Sequence, residues 1–237
     1  MADRRGAEQL SLAIDEPEAP ALPRRLKPMI PLPGLAPFDD PQFFFEPWWP
    51  GASALLYVEQ HGIRLQTEHL ADPLQAFPEI ALLGEHFRHH GSVVEGTLLT
   101  LDEEGRPNAD LLRRRLAATG DDGTRAGNRG TPAFVASDLL YRHGRPLLAI
   151  PFADRRARLA DELVDGDNCV ISRGLRGEGL TLADAAASMG VTDISARLLT
   201  GRYRPGQQDD SWLRLPVTEA PAVPTRPLLA LLQRLPL

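Results

Sequence analysis

The sequence predicts an α+β domain whose sheets are antiparallel. Two observations carry this prediction: short runs of alternating apolar and polar residues are joined by tight turns, and segments with a helical period lie between them. Hydrophobic residues make up 43% and charged residues 24% of the 237-residue chain, which is typical of a globular protein. The sequence shows no internal repeat, so the length allows one large domain or two small ones.

The first predicted elements lie between residues 53 and 87. Residues 53–59 and 62–67 have the β pattern and are predicted to form a hairpin around Gln60-His61-Gly62. Asp72-Pro73 marks the next turn. A helix is predicted over residues 77–87, because apolar side chains recur there with a helical period. These side chains are Phe77, Ile80, Ala81, Leu83 and Phe87.

A long strand is predicted over residues 92–102, closed by a turn at residues 103–107. Asn108 follows this turn and is a residue type that caps helices, so a helix is predicted to run from it to about residue 118. Residues 134–141 form the next predicted strand, and the pair His143-Gly144 predicts a turn after it.

Two more helices are predicted in the second half of the chain. Residues 154–164 have a helical period that directs Leu159 and Leu163 inward. Thr181 followed by Asp184 resembles a capping box, and Gly190 has the place of a residue that ends a helix.

The remaining segments define the predicted domain organisation. Residues 190–199 and 211–215 are the last predicted strands. Residues 1–25 are rich in Pro, Glu and Arg and are predicted to be a disordered N-terminal tail. Residues 26–216 form the predicted domain, and residues 217–237 are predicted to be a Pro-rich linker with a short C-terminal helix.

Two segments inside the predicted domain have unusual compositions. Residues 26–41 contain many prolines and are predicted to run extended over the surface. Residues 119–132 are predicted to be a flexible Gly-rich loop. This loop lacks the Gly-Lys-Ser/Thr of a phosphate-binding loop, so no nucleotide role is assigned to it.

Composition and charge exclude several classes of protein. The polar first ten residues predict no signal peptide, and no apolar run approaches the ~20 residues that span a bilayer, so no membrane partner is expected. Cys169 is the single cysteine, which excludes an internal disulfide framework and favours a cytoplasmic location. The net charge of −6 is not typical of a dedicated nucleic-acid binder. Three arginine groups, at residues 113–115, 155–158 and 202–204, are interpreted as solvated faces.

Residues 43–59, FFFEPWWPGASALLYVE, resemble the nucleophile segment of ATP-dependent DNA ligases, FE-x-K-W-D-G-x-R followed by a strand. The phenylalanine, the glutamate, the tryptophan and the glycine of that motif match Phe45, Glu46, Trp49 and Gly51. The lysine that would carry AMP falls on Trp48. The aspartate and the arginine of the motif fall on Pro50 and Ser53.

The resemblance extends from Lys27 to about Pro216, which is about four-fifths of the chain. PEIALLGEHF, VVEGTLLTLDEEGRPN, FVASDLLYRHGRPLLAIPFADRRARL and RYRPGQQDDSWLRL each resemble ligase segments, in the expected order. The resemblance implies a ligase-type nucleotidyltransferase domain of two antiparallel sheets flanked by helices. In the ligases an OB-type barrel follows this domain, but only 21 residues follow Pro216, so no such barrel is expected.

The resemblance also implies a chemistry that these residues do not supply. A lysine attacks the α-phosphate, carboxylates hold the metal, further lysines hold the phosphates and an aromatic side chain stacks on adenine. Every charged position of that set is changed here. The replacements are Trp48 for the nucleophile, Ser53 for an arginine, Thr67 and Glu68 for a Ser-Arg pair, Thr97 and Thr192 for glutamates, Asp193 for a glycine, Ser137 for the aromatic residue, and Arg197, Arg214 and Pro216 for lysines.

Three interpretations follow. The favoured one is a non-catalytic binding or scaffold module in DNA repair and recombination, with DNA or repair proteins as partners, no metal and no cofactor. Its vestigial pocket is formed by Glu46, Trp48, Gly51, Ser53, Thr97, Ser137, Thr192, Arg197 and Arg214. The second is an active ATP-dependent DNA ligase that seals nicks through an enzyme-AMP intermediate with ATP and Mg²⁺. The third is a small-molecule or protein-binding domain unconnected with DNA.

Two further patterns have both a functional and a structural interpretation. Lys27, 21 residues before Trp48, can replace the nucleophile only if the lead-in folds back. His86, His89 and His90 have HxxHH spacing, and His86 and His90 would share a helical face as metal ligands do. No carboxylate or cysteine completes the set nearby, which favours a polar helix end.

The N-terminal tail contains a segment that resembles the peptide by which bacterial repair proteins bind the sliding clamp. A glutamine is followed there by spaced apolar residues, namely Gln9, Leu10, Leu12 and Ile14. An extended peptide in a flexible tail suits docking in an apolar groove, so the sliding clamp is a predicted partner. The alternative is an ordinary amphipathic segment of a disordered terminus, since six-residue patterns often arise by chance.

Overall fold

The computed structural model describes residues 21–68, 73–117 and 130–217. Its strands are β1 (Leu32–Pro33), β2 (Asp39–Pro47), β3 (Ala52–Glu59), β4 (Gly62–Thr67), β5 (Ser92–Leu101), β6 (Thr131–Arg142), β7 (Arg145–Pro146), β8 (Cys169–Ile171), β9 (Leu175–Glu178), β10 (Asp193–Leu198) and β11 (Trp212–Pro216). Its helices are α1 (Pro73–Ala76), a 3₁₀ helix (Pro78–His86), α2 (Ala109–Ala117), α3 (Phe152–Glu162) and α4 (Gly179–Ser188).

The strands form two sheets, as predicted. Sheet I has the order β1-β11-β10-β2-β9, and sheet II has the order β4-β3-β5-β6-β7, with β8 paired to β6 beside this path. Most neighbours are antiparallel, but β1 pairs with β11 and β8 pairs with β6 in parallel. The sheets are thus antiparallel as predicted, apart from these two pairings. The strands β1 and β8 in these parallel pairs are short, with two and three residues.

Sheet II is buried on both faces. Along β3, Ala54, Leu56 and Val58 face one apolar cluster, which also contains buried side chains of the 3₁₀ helix and α3. Leu55 and Tyr57 face another cluster, between the sheets. Successive side chains of a strand point to opposite faces, so burial of both faces explains the continuous apolar run in this strand.

A 3₁₀ helix replaces the α-helix predicted over residues 77–87. Phe77, Ile80 and Leu83 are fully buried, and their spacing of three residues matches the three residues per turn of a 3₁₀ helix. The capping box predicted at Thr181 is also wrong, because α4 begins earlier, at Gly179.

Several local predictions are confirmed. The Asn108 Oδ1 atom accepts hydrogen bonds of 3.0 Å from the amides of residues 110 and 111 at the start of α2. Gln60 and His61 join β3 to β4, because Glu59 pairs directly with Gly62. His143 and Gly144 have φ of 51° and 72°, the left-handed conformation that a tight hairpin turn between β6 and β7 requires.

The proline-rich lead-in is more deeply packed than predicted. Met29 is buried, and its amide donates a 2.8 Å hydrogen bond to the hydroxyl of Tyr203. Leu32 and Pro33 then form β1 at the edge of sheet I. The lead-in therefore runs extended, but it closes one side of the space between the sheets.

The predicted clamp-binding segment, the core of the Gly-rich loop and the C-terminal linker and helix lie outside the described residues. None of the helices within the described ranges has the length and hydrophobicity needed to cross a bilayer.

Candidate functional site

Trp48 and Trp49 follow directly after β2 and point in different directions. The Trp48 amide donates a 3.0 Å hydrogen bond to the carbonyl of Asp193, which continues the pairing of β2 with β10. The Trp48 ring is half-buried, and its centroid lies 6.2 Å from that of Trp212. Trp49 is buried, and its Nε1 donates a 3.0 Å hydrogen bond to Ser172 Oγ. Trp48, the residue at the nucleophile position, thus packs against another aromatic ring.

A cavity of about 70 Å³ lies beside Trp48, between the sheets. Ligand pockets measure roughly 300–1,000 Å³, so this cavity is smaller than a nucleotide requires. It brings together six of the nine residues predicted to form the pocket, namely Glu46, Trp48, Ser53, Thr97, Ser137 and Arg197. The other three, Gly51, Thr192 and Arg214, lie with Trp48 on a separate groove of about 710 Å³.

Gly51 has a packing role that its motif position does not reveal. A Cβ atom added at this residue would lie 2.6 Å from Thr97 Cγ2 and would overlap the carbonyl oxygen of Leu98. The turn into β3 therefore approaches β5 too closely for any side chain.

Arg197 replaces a ligase lysine and is surrounded by three carboxylates. Its Nη2 donates a 2.7 Å hydrogen bond to Glu95 Oε2, and its Nη1 donates a 3.1 Å hydrogen bond to Asp138 Oδ2. Its Nε lies 3.8 Å from Glu46 Oε1. The guanidinium also lies 3.8 Å from the centroid of the Trp212 ring, and only 5% of the side chain is exposed.

Two further arginines complete the buried charge cluster. Arg155 forms a bidentate pair with Asp138, with distances of 2.8 and 2.7 Å. Arg156 Nη1 lies 3.9 Å from Glu46 Oε2 and donates a hydrogen bond to the Ser137 carbonyl. The three arginines thus match the three carboxylates in number. The prediction of a solvated arginine face over residues 155–158 is wrong for Arg155, which is buried.

The cluster shifts the pKa values of its members. Burial raises the pKa of Glu95, and the negative charge of Asp138 raises it further, against the opposing charge of Arg197. Burial alone would lower the pKa of Arg197, but the surrounding carboxylates raise it above its ordinary value. The Tyr203 hydroxyl donates a 2.7 Å hydrogen bond to Glu95 Oε1, and burial raises the pKa of this hydroxyl as well.

Arg214, which replaces another ligase lysine, is also engaged. It forms a bidentate pair with Asp193, with distances of 3.0 and 2.9 Å, and its guanidinium lies 4.7 Å from the centroid of the Trp48 ring. Thr192 Oγ1 donates a 2.8 Å hydrogen bond to the same aspartate. In contrast to Arg197, the Arg214 side chain is 46% exposed.

Lys27 does not line the cavity, whose lining begins at the next residue, Pro28. Its side chain is exposed and lies against Gly206. The helical face predicted for His86 and His90 does not exist, because the 3₁₀ helix ends at His86. The His86 ring instead contacts the Val164 carbonyl and the Asn168 side chain, at 3.2 and 3.1 Å.

Glu95 and Asp138 are the site residues that sequence reasoning overlooked. Each is a single carboxylate inside an apolar strand that is buried on both faces. Because a buried charge requires a partner, an acidic residue at such a position is a signal for a buried cation nearby. That signal does not identify Arg197 as the partner, which follows 102 residues after Glu95 and 59 after Asp138.

No protein-family model matches the chain. Over 190 residues it is 27% identical to the multifunctional non-homologous end joining DNA repair protein LigD of Mycobacterium tuberculosis, a match that covers 80% of this chain and 24% of that protein. It is 21% identical over 179 residues to the SPbeta prophage-derived DNA ligase-like protein LigB of Bacillus subtilis, covering 76% of this chain and 63% of that protein. The chain thus spans about a quarter of the length of the LigD proteins it matches.

Solved ligase structures have the same fold. A mycobacterial DNA ligase D complexed with ATP and MES superposes with a TM-score of 0.66 at 27% identity, covering 81% of this chain and 60% of that chain. The ligase domain of M. tuberculosis LigD gives a TM-score of 0.65 at 26% identity, covering 80% and 58%. The chain is therefore homologous to the ligase (nucleotidyltransferase) domain of LigD and of other ATP-dependent DNA ligases.

Proposed function

We propose that this DNA ligase-like domain is a non-catalytic binding or scaffold module that acts in DNA repair or recombination without a nucleotide cofactor. The observation that carries the proposal is the state of Arg197. Arg197 occupies a position where ligases have a lysine. Its side chain is buried and faces three carboxylates. It is neutralised within the protein instead of being available to a phosphate.

The nucleophile position supports the same conclusion. An indole ring has no amine that can attack a phosphorus atom, so Trp48 cannot form an enzyme-AMP bond. Its ring packs against Trp212 and lines a cavity of about 70 Å³. The exposed Lys27 lies outside this cavity.

ATP and Mg²⁺ do not fit the residues of this cavity. Among the described residues that line it, Arg197 is the one cation, and Glu46 and Glu95 are the carboxylates. Both carboxylates face the Arg197 guanidinium, at 3.8 and 2.7 Å. Thr97 supplies a hydroxyl where the ligase motif has a metal-facing carboxylate. A metal-nucleotide complex would therefore have to disrupt this cluster before binding.

The proposed biological setting comes from the relatives. LigD is named as a multifunctional non-homologous end joining DNA repair protein, and this chain retains the fold of its ligase domain. This domain keeps the ligase fold, but the charges of its pocket pair with one another. It is therefore suited to binding other macromolecules without catalysis. The proposed partners are DNA and DNA-repair proteins.

The adenylation test uses intact mass after incubation of the full chain with ATP and Mg²⁺. The mass is expected to stay unchanged, while a mycobacterial LigD ligase domain treated in parallel serves as the positive control. Trp48→Lys is also expected to form no adduct, because Thr97 and Thr192 leave the metal unsupported. An AMP-sized increase in the unmodified chain would overturn the proposal in favour of an active ATP-dependent ligase, and peptide mapping would show whether Lys27 is the nucleophile.

The DNA-binding test measures affinity for nicked duplex DNA at two salt concentrations. Binding that weakens with salt is expected, with a shallow slope, because a chain of net charge −6 makes few phosphate contacts. No binding at either concentration would refute the DNA-binding part of the proposal and favour a domain unconnected with DNA.

A further inference from the structure

Three side chains that are distant in sequence converge at one edge of sheet II, and none of them lines the cavity beside Trp48. These are His89, His143 and Glu162, whose potential ligand atoms all lie within 4.8 Å of one another. His89 Nδ1 lies 3.1 Å from Glu162 Oε1, and the two imidazole rings are 4.7 Å apart. We propose that this cluster, the His-His-Glu cluster, binds a zinc ion.

The backbone holds the three segments together independently of these side chains. The loop that carries His89 is tied to the end of α3, because the Arg88 amide donates a 2.9 Å hydrogen bond to the Glu162 carbonyl. The same loop is tied to the β6–β7 turn, because the Gly144 amide donates a 2.8 Å hydrogen bond to the Gly91 carbonyl. A Cβ atom on Gly91 would lie 2.7 Å from the Gly144 nitrogen, so the loop and the turn are in direct contact.

His143 has an unusual backbone conformation at this point. Its φ of 51° makes it the one non-glycine residue with positive φ among residues 21–68, 73–117 and 130–217. Histidine tolerates this conformation less well than glycine, which is the usual residue at such a position in a hairpin turn. The conformation places an imidazole edge-on against the His89 ring, with an angle of 61° between the planes.

Glu162 provides the fixed member of the cluster. Its side chain is fully buried at the end of α3, and Arg142 Nε donates a 2.8 Å hydrogen bond to Oε2. This bond leaves Oε1 directed at His89. A cation that holds a ligand carboxylate in position from behind is the kind of outer-shell partner that metal sites use.

The donor set suits zinc. Two imidazole nitrogens and one carboxylate oxygen are ligands that Zn²⁺ binds at about 2.0–2.2 Å, with a fourth position for water. The His89 side chain is 50% exposed and His143 is exposed as well, so solvent reaches this fourth position and small rotations of both rings can close the site. An ion pair between His89 and Glu162 would explain that contact, but not the convergence of His143.

The experiment titrates the untagged, chelator-treated chain with ZnCl₂ by calorimetry, and with CoCl₂ by visible absorption, which reports tetrahedral coordination. One zinc per chain is expected. His89→Ala and His143→Ala are each expected to weaken binding by about tenfold or more, on the scale seen when metal-site residues are removed. Zinc should also raise the melting temperature of the unmodified chain, and should raise that of either variant by less at the same zinc concentration.

His90→Ala is the matched control, because this exposed histidine is adjacent to His89 but lies outside the His-His-Glu cluster. Its zinc affinity is expected to equal that of the unmodified chain. Both ligand variants replace exposed side chains and are expected to fold, which circular dichroism checks. No zinc binding, or equal weakening by His90→Ala and His89→Ala, would overturn the proposal. The zinc titration uses neither ATP nor DNA, so its result is independent of the proposed function.

Discussion

Replacing Arg197 by methionine tests whether the buried charge cluster holds the two sheets together. Methionine keeps an unbranched apolar side chain beside Trp212 but removes the cation that contacts Glu95 and Asp138 at 2.7 and 3.1 Å. Both carboxylates are buried, so they cannot recover this interaction from water. Removal of one partner of a buried ion pair typically costs about 3–5 kcal/mol of unfolding free energy.

The expected loss is large enough to measure by thermal and urea denaturation. For a domain of this size, 1 kcal/mol corresponds to about 2–4 °C, so Arg197→Met should lower the melting temperature by about 10 °C. Arg214→Met is the matched control, since Arg214 likewise donates two hydrogen bonds to carboxylate oxygens, both of Asp193, but is 46% exposed. An exposed pair contributes about 0–1 kcal/mol, so the control should be nearly as stable as the unmodified chain.

The pH dependence of this loss has a defined sign. Burial raises the pKa of Glu95, so its contribution to stability is greatest at low pH and is lost as the pH rises through the folded-state pKa. Without Arg197 that pKa rises further, because an opposing positive charge is gone. The deficit of Arg197→Met should therefore be larger at pH 8 than at pH 5, and Glu95→Gln should restore part of it. Equal losses for the Arg197 and Arg214 variants, or a deficit that is the same at both pH values, would refute the reasoning.

Three further predictions concern single side chains. Trp49→Ala should cost about 3–5 kcal/mol of unfolding free energy, because Trp49 is 4% exposed. Trp48→Ala should cost less, because its ring is half-buried, and an unchanged melting temperature would instead indicate an aromatic residue that is free to bind a partner. Cys169 is fully buried and burial raises the pKa of its thiol, so thiol reagents should modify it only after urea unfolding, and rapid labelling of the native chain would contradict its position.

The local structure could be predicted where one residue dictates it. Asn108 was expected to cap a helix and does so, and the turn at His143-Gly144 was expected from its glycine. The spacing of Phe77, Ile80 and Leu83 fits both an α-helix and a 3₁₀ helix, and tertiary packing favours the second. Local pattern alone could not separate these two helices.

The candidate site was predictable as a set of positions but not as a set of contacts. Alignment to a ligase motif placed Arg197 in the pocket, yet its three carboxylate partners come from three other strands. The His-His-Glu cluster was missed for the same reason: the carboxylate that completes it follows 73 residues after His89. Pairing between distant strands depends on topology, which periodicity does not encode.

The position of Arg197 also has a consequence for dynamics. It lies on β10 of sheet I, whereas Glu95 and Asp138 lie on β5 and β6 of sheet II, so its hydrogen bonds cross from one sheet to the other. Separation of the sheets would break both of these hydrogen bonds at once. The chain should therefore lack the partly open state that a hinge between sheets would provide. Hydrogen exchange should therefore give the same free energy of opening for the amides of β10 and of β5, because the two strands open as one cooperative unit.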